Sequence, residues 1–211
     1  MKKFFALYFL LIPFMLNAQS HFGTVKLGVF GPSATDVGII LGYEGGWRID
    51  DNLYIGYSAD WFNKNYTDQN YITQMNQFYG TINSSLTELR AKTNLHSIPL
   101  MGVIEGNWEA GPRLRVFFTG GLGLETLLIF YRSYDNPDNS NLKAAFDFCW
   151  RLGGGLIYEL GRKSDIIVEL AYDSSNPSWQ YTVVDNGHQR VFERAFNMSG
   201  IMLRAGVRFY F

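Results

Sequence analysis

Apolar and polar residues alternate one for one along most of this chain, the two-residue period of an extended strand. Val37, Ile39, Leu41, Tyr43, Gly45, Trp47 and Ile49 are interleaved with Gly38, Ile40, Gly42, Glu44, Gly46 and Arg48. Leu53, Ile55, Tyr57, Ala59 and Trp61 oppose Tyr54, Gly56, Ser58, Asp60 and Phe62. The same two-faced pattern recurs over Leu114–Glu125, Phe146–Leu160, Ile166–Asp173 and Gly200–Phe211. Two further strands, Thr24–Gly31 and about Leu86–Ile104, alternate less cleanly. Pro99 in the latter removes a ladder donor and predicts a bulge or a weak point there.

Eight strands are thus predicted, most of them long enough for the roughly 9–11 residues a tilted strand needs to cross a bilayer. Their connections alternate in length. Asp50–Asn52, Asn107–Pro112 and Gly161–Asp165 are short, whereas Lys64–Ser85, Arg132–Lys143 and Asn176–Arg194 are long and polar; Gly31–Asp36 is short on the long-loop side. Short turns at one end and long loops at the other are the arrangement of outer-membrane barrels, with both termini periplasmic.

Alternation alone does not tell a membrane barrel from a soluble one, which buries its apolar face instead. Three features favour the lipid-facing polarity. The apolar faces carry large residues throughout, while the opposite faces are rich in glycine. Trp47, Tyr158, Phe209 and Phe211 fall near the periplasmic ends and Trp61 and Trp150 near the extracellular ends, as two aromatic belts would. The chain also closes on an aromatic, Phe211.

The first residues fit this destination. Lys2 and Lys3, the apolar stretch Phe4–Leu16 and Leu16-Asn17-Ala18 before Gln19 read as a secretory signal peptide over 1–18, leaving 19–211 as one barrel domain. No later stretch approaches the roughly 18 apolar residues of a transmembrane helix. Removing the leader with its two lysines moves the net charge from −1 to −3, which argues against a nucleic-acid partner. One cysteine excludes a disulfide framework and a cysteine-cluster zinc site. A mean hydropathy of −0.06 is compatible with a barrel whose inward positions are polar.

The strand parity places Lys26, Arg48, Arg115, Arg151, Arg204 and Arg208 inside, against Glu44, Asp60, Glu125, Asp147, Glu159, Glu169 and Asp173. Charges so enclosed require paired networks, because an uncompensated buried ion is costly. A closed polar plug is expected; a narrow water or ion path is the alternative.

Little else points to chemistry. Asp173, Ser174 and His188 are a conceivable hydrolytic set at the outer rim, although rim Asp and Ser are ordinary loop starters. Asp68, Asp135, Asp138 and Asp185 are loop acids without calcium-loop spacing. Cys149 faces inward and reads as packed and inert. Gly153-Gly154-Gly155 lies within a strand, so it relieves crowding or bends the strand. No catalytic, cofactor or metal residues are assigned. Tyr71, Met75, Phe78, Ile82, Leu86 and Leu89 recur near helical spacing, consistent with a short extracellular helix or with extended strand ends. The aromatic-bearing long loops are the best partner surface.

The Leu16–Gln19 cleavage region, Ile98-Pro99-Leu100, Gly120–Gly123, Gly153–Gly155, Glu169–Tyr172 and the closing Leu203–Phe211 together resemble the PorT-like outer-membrane β-barrel domains of Bacteroidetes-type bacteria. The resemblance implies an eight-stranded barrel in the outer membrane of a Gram-negative cell envelope. Its namesake branch is associated with the type IX secretion machinery. The expected protein is a monomeric, non-enzymatic outer-membrane barrel without cofactors. Its partners would be outer-membrane lipid and lipopolysaccharide, and secretion-machinery subunits reached through its loops. A narrow solute or ion pore is the alternative role, and a lipid-modifying hydrolase the third.

Overall fold

In the computed structural model, residues 21–67, 92–132, 140–185 and 188–211 are described. The proposed signal peptide, the 68–89 segment and the acids Asp68, Asp135 and Asp138 lie outside them. Ten strands follow in chain order: β1 (His21–Pro32), β2 (Gly38–Asp50), β3 (Leu53–Thr67), β4 (Lys92–Gly111), β5 (Leu114–Arg132), β6 (Ser140–Glu159), β7 (Ser164–Ser174), β8 (Ser178–Asp185), β9 (His188–Ala195) and β10 (Gly200–Tyr210). Eight of them close into a barrel in the order β1-β10-β7-β6-β5-β4-β3-β2, and β8 with β9 forms a separate two-stranded hairpin. Every barrel pair is antiparallel.

The register fixes the barrel's shape. From Asp173, partners lead one way through Gly200 to Pro32, and the other way through Arg151, Gly121, Val103, Gly56 and Gly46 to Phe22. The two routes reach β1 ten residues apart. A stagger of this size over eight strands tilts them by roughly 35–45° and leaves an interior that side chains can fill.

The polarity is inside out. Among the outward residues Ile39 is 68% exposed, Leu122 62%, Leu170 58% and Ile201 62%, while the inward Lys26, Arg204 and Arg208 are at 2% or less. Water would strip such a fold of its driving force, whereas hydrocarbon makes the apolar wall the wetted surface. The chain is a transmembrane β-barrel. Trp47, Trp108, Tyr158 and Phe209 ring the end that carries the short turns. Trp61 and Trp150 mark the other edge, Trp150 standing level with the last residue of β7 through its pairing with Ser174.

Several boundaries differ from the sequence reading. β1 begins at His21 and ends at Pro32, and β4 starts at Lys92 and runs to Gly111, so the Asn107–Pro112 turn shrinks to Pro112–Arg113. Arg113 there adopts φ 64°, the left-handed position that follows proline in a tight turn. The Asn176–Arg194 loop is the β8–β9 hairpin. Pro99 does not create a bulge: the β3–β4 register is continuous, but the rungs of Asp60 and Trp61 opposite Pro99 and Ile98 are missing. The glycine triplet relieves crowding, since a Cβ on Gly155 would lie 1.9 Å from the Val168 carbonyl oxygen.

β7 and β10 have 11 residues each, about one membrane crossing, but β4, β5 and β6 have 20, 19 and 20. The part of β6 before Trp150 pairs only with β5, so this hairpin rises beyond the apolar band. Leu170→Arg, in the middle of the band, is expected to destabilise the folded protein by about 2–4 kcal/mol, and Leu142→Arg, above it, by about 1 kcal/mol or less. Urea titrations of refolding into vesicles measure both. Equal losses would remove the distinction between the two levels.

Candidate functional site

Among the described residues, the strands bring charged groups together in the interior. Strand parity aims alternate residues inward, and eight walls make them converge. Arg208 on β10 holds Glu105 on β4 with two parallel bonds of 2.6 and 2.7 Å, and reaches Glu44 at 3.3 Å. Its Nε donates to Thr24 at 3.1 Å, and its guanidinium lies 4.3 Å from the Phe22 ring centroid. Lys26 donates to Glu44 at 2.6 Å and to Glu169 at 2.8 Å. Arg204 joins Glu169 at 2.9 Å to Asp60 at 2.7 Å, and Arg151 joins Asp60 at 2.6 Å to Asp173 at 2.7 Å.

These contacts form one continuous chain of alternating charge, Glu105–Arg208–Glu44–Lys26–Glu169–Arg204–Asp60–Arg151–Asp173. It spans the lumen and ties β10 to β2, β3, β4 and β7, β1 to β2 and β7, and β6 to β3 and β7. The two-pronged arginine contacts set geometry as well as charge. Glu125 lies outside the chain. It accepts from Ser97 at 2.6 Å and from the Ser175 hydroxyl.

Apolar layers close the network at both ends. Towards the long-loop side, Phe30, Ile40, Phe62, Leu95, Leu127, Ile129 and Met202 meet Phe196 and Met198. The last two belong to the segment between β9 and β10, which folds into the mouth and is held there by bonds such as Met198 N–H to the Ser175 carbonyl at 3.1 Å. Towards the turn side, Phe117, Ile157 and Ile167 form a second layer. Beyond it Arg115 meets Asp165 at 2.6 Å and Glu159 at 3.2 Å, and Tyr210 donates to Asp165 at 2.5 Å.

The expected paired network is therefore present, with changes in membership. Arg48 is not enclosed: it pairs with Asp51 in the turn after β2, the two side chains 45% and 84% exposed. Glu159 is 44% exposed at the rim. Glu105, Asn107 and Asp165 are buried members that the sequence reading misses. The parity of Met101 and Val103, continued for two more steps, marks Glu105 and Asn107 as inward. Asp165 reads as part of a turn in the sequence but is the second residue of β7. The plug is also not wholly polar, because ion pairs fill only its middle.

Two members of the conceivable hydrolytic set are engaged with other residues. Both Asp173 oxygens are held by Arg151, and Ser174 lies 3.3 Å from Ser199. His188 opens β9 opposite Asp185, seven residues along the hairpin from Ser178 at its base. Asp185 is the last residue of β8, in that strand pair. Cys149 is buried beside Met101 and Val103.

No known family profile and no curated protein matches the chain. Its fold is similar to that of Neisserial surface protein A, at 12% identity over 91% of this chain and 96% of the other, with a TM-score of 0.52. It is similar to a major outer membrane protein from Thermus thermophilus, at 14% identity over 90% and 99%, with a TM-score of 0.60. It is also similar to outer membrane protein OprG from Pseudomonas aeruginosa, at 12% identity over 91% and 96%, with a TM-score of 0.58. At these identities the likeness carries the closed barrel architecture and no residue roles.

Glu105→Ala leaves Arg208 enclosed with only Glu44 and Thr24, and is expected to cost about 3–5 kcal/mol. Asp51→Ala removes an exposed pair and is expected to cost about 1 kcal/mol or less. Urea midpoints in detergent micelles, followed by tryptophan fluorescence, separate the two. A neutral Glu105→Ala would contradict the role given to the pair.

Proposed function

We propose that this chain is a non-enzymatic, monomeric barrel of the outer membrane that carries no solute through its centre and serves to anchor an extracellular surface. One observation supports it most: the lumen is filled by a paired ion chain between two apolar layers. A permeant ion would have to break contacts such as Arg208–Glu105 and displace Phe196 and Met198. The leader-like segment over 1–18, the apolar wall with its two belts and the likeness to outer-membrane barrels support the location. On this reading the wall contacts outer-membrane lipid and the outer belt contacts lipopolysaccharide.

The surface being anchored consists of the long loops and the β8–β9 hairpin, with the tall β4–β6 wall beside them. The PorT-like resemblance favours a finer role, as an accessory subunit of a secretion machinery that docks on these parts. Ile98-Pro99-Leu100 supports that affiliation. It coincides with the interrupted β3–β4 ladder, so it marks a structural feature as well as a likeness in sequence.

Planar-bilayer recordings of the purified protein are expected to remain silent, and stable discrete channels would overturn the closed-lumen reading. Capture from mildly solubilised outer membranes is expected to bring down secretion-machinery subunits. If they are absent, the accessory role fails and a stand-alone structural barrel remains.

A further inference from the structure

Gly102 on β4 and Gly120 on β5 face outward within the apolar band. The fold does not demand glycine at either place. Outside its chain neighbours, a Cβ on Gly102 would meet nothing nearer than the Leu122 carbonyl oxygen at 3.9 Å, and one on Gly120 nothing nearer than Leu152 at 3.7 Å. Gly123, also on β5, contrasts with them, since its Cβ would lie 2.0 Å from the Leu100 carbonyl oxygen. Packing explains Gly123 but not Gly102 or Gly120.

What the two missing side chains produce is a groove of about 550 Å³ walled by Ile55, Ile104, Leu122, Trp150 and Leu152. Its lining is nearly free of polar surface. The charged residue beside it, Arg151, turns its guanidinium into the lumen onto Asp60 and Asp173. The register sets its depth. Gly102, Leu122 and Trp150 share one line of partners, and Ile104, Gly120 and Leu152 share the line below. Trp150 belongs to the upper belt and Trp108 to the lower, so the groove lies between the belts, where only hydrocarbon is at hand. Unfilled, its walls would lack dispersion partners on one side. A polar or charged ligand would find nothing there to replace its hydration.

We propose that this groove binds one acyl chain of a membrane lipid as a retained ligand, seated beneath the Trp150 indole. The proposal rests on the transmembrane reading and adds a fixed site to it. The full chain, folded in vesicles of palmitoyl-oleoyl phosphatidylglycerol and extracted in mild detergent, is tested by native mass spectrometry. The wild type is expected to keep one phospholipid. The Gly102→Leu/Gly120→Leu double variant is expected to keep about tenfold less. Ala205→Leu, outward on β10 and away from the groove, is expected to keep it. Trp150→Ala is a second variant should the double leucine variant not fold, and is expected to lose the adduct as well. Heat-modifiable migration in dodecyl sulfate gels reports membrane folding separately, so its loss in the wild type would defeat the transmembrane reading itself. With folding intact, three results would overturn the proposal: equal retention by all variants, a lipid-free wild type, or a dimer that the groove variants dissociate.

Discussion

A guanidinium enclosed by a wall that lipid coats on the outside has no water to return to. Its energy depends on the carboxylates set against it. Arg208 shows the constraint most fully. It is 0% exposed, with Glu105 clamped in front of it, Glu44 and Thr24 beside it and Phe22 over its face. Its partners come from β1, β2 and β4, so the register of the wall and the pairing of the lumen specify each other. A one-residue slip of β10 would turn Arg204 and Arg208 into hydrocarbon and Leu203 and Val207 into the ion chain. The network is thus a device for registration more than a source of net stability.

The same constraint explains how the barrel is sealed. An ion chain open to water at both ends would be a wet, exchangeable lining. Phe196 and Met198 on one side and Phe117, Ile157 and Ile167 on the other remove that access and make the pairing strict. Glu125 is the exception. Two hydroxyls hold it in place of a cation, and one of them, on Ser175, belongs to the stretch that also fastens the mouth segment through Met198.

Much of this is legible in the residues because the strand period is short and unforgiving. Parity alone puts Lys26, Glu44, Asp60, Arg151, Glu169, Asp173, Arg204 and Arg208 on one face, and the barrel has to bring that face together. Parity fails where it is interrupted. Pro99 blurs the fourth strand, and Glu105, the anchor of Arg208, is lost with its lower half. Turn chemistry around Gly161 absorbs Asp165, and Arg48 looks inward because the alternation runs on past Trp47, the last β2 residue paired with β1, into the irregular rim of β2. The folding of Phe196 and Met198 into the mouth has no periodic signature, because it depends on a loop returning to a cavity that other strands build.

The seam between β1 and β10 carries a further consequence. The Phe211 amide donates to the His21 carbonyl oxygen at 3.0 Å, so the wall is sewn shut by segments nearly the whole sequence apart. Their pairing closes the longest loop in the barrel, so it carries the largest loop-closure entropy and slows assembly. Until that zip closes, an emerging polypeptide has two raw edges and an apolar flank in contact with water. Such a species is prone to aggregate, so its passage to the bilayer depends on being shielded until both edges are at hand.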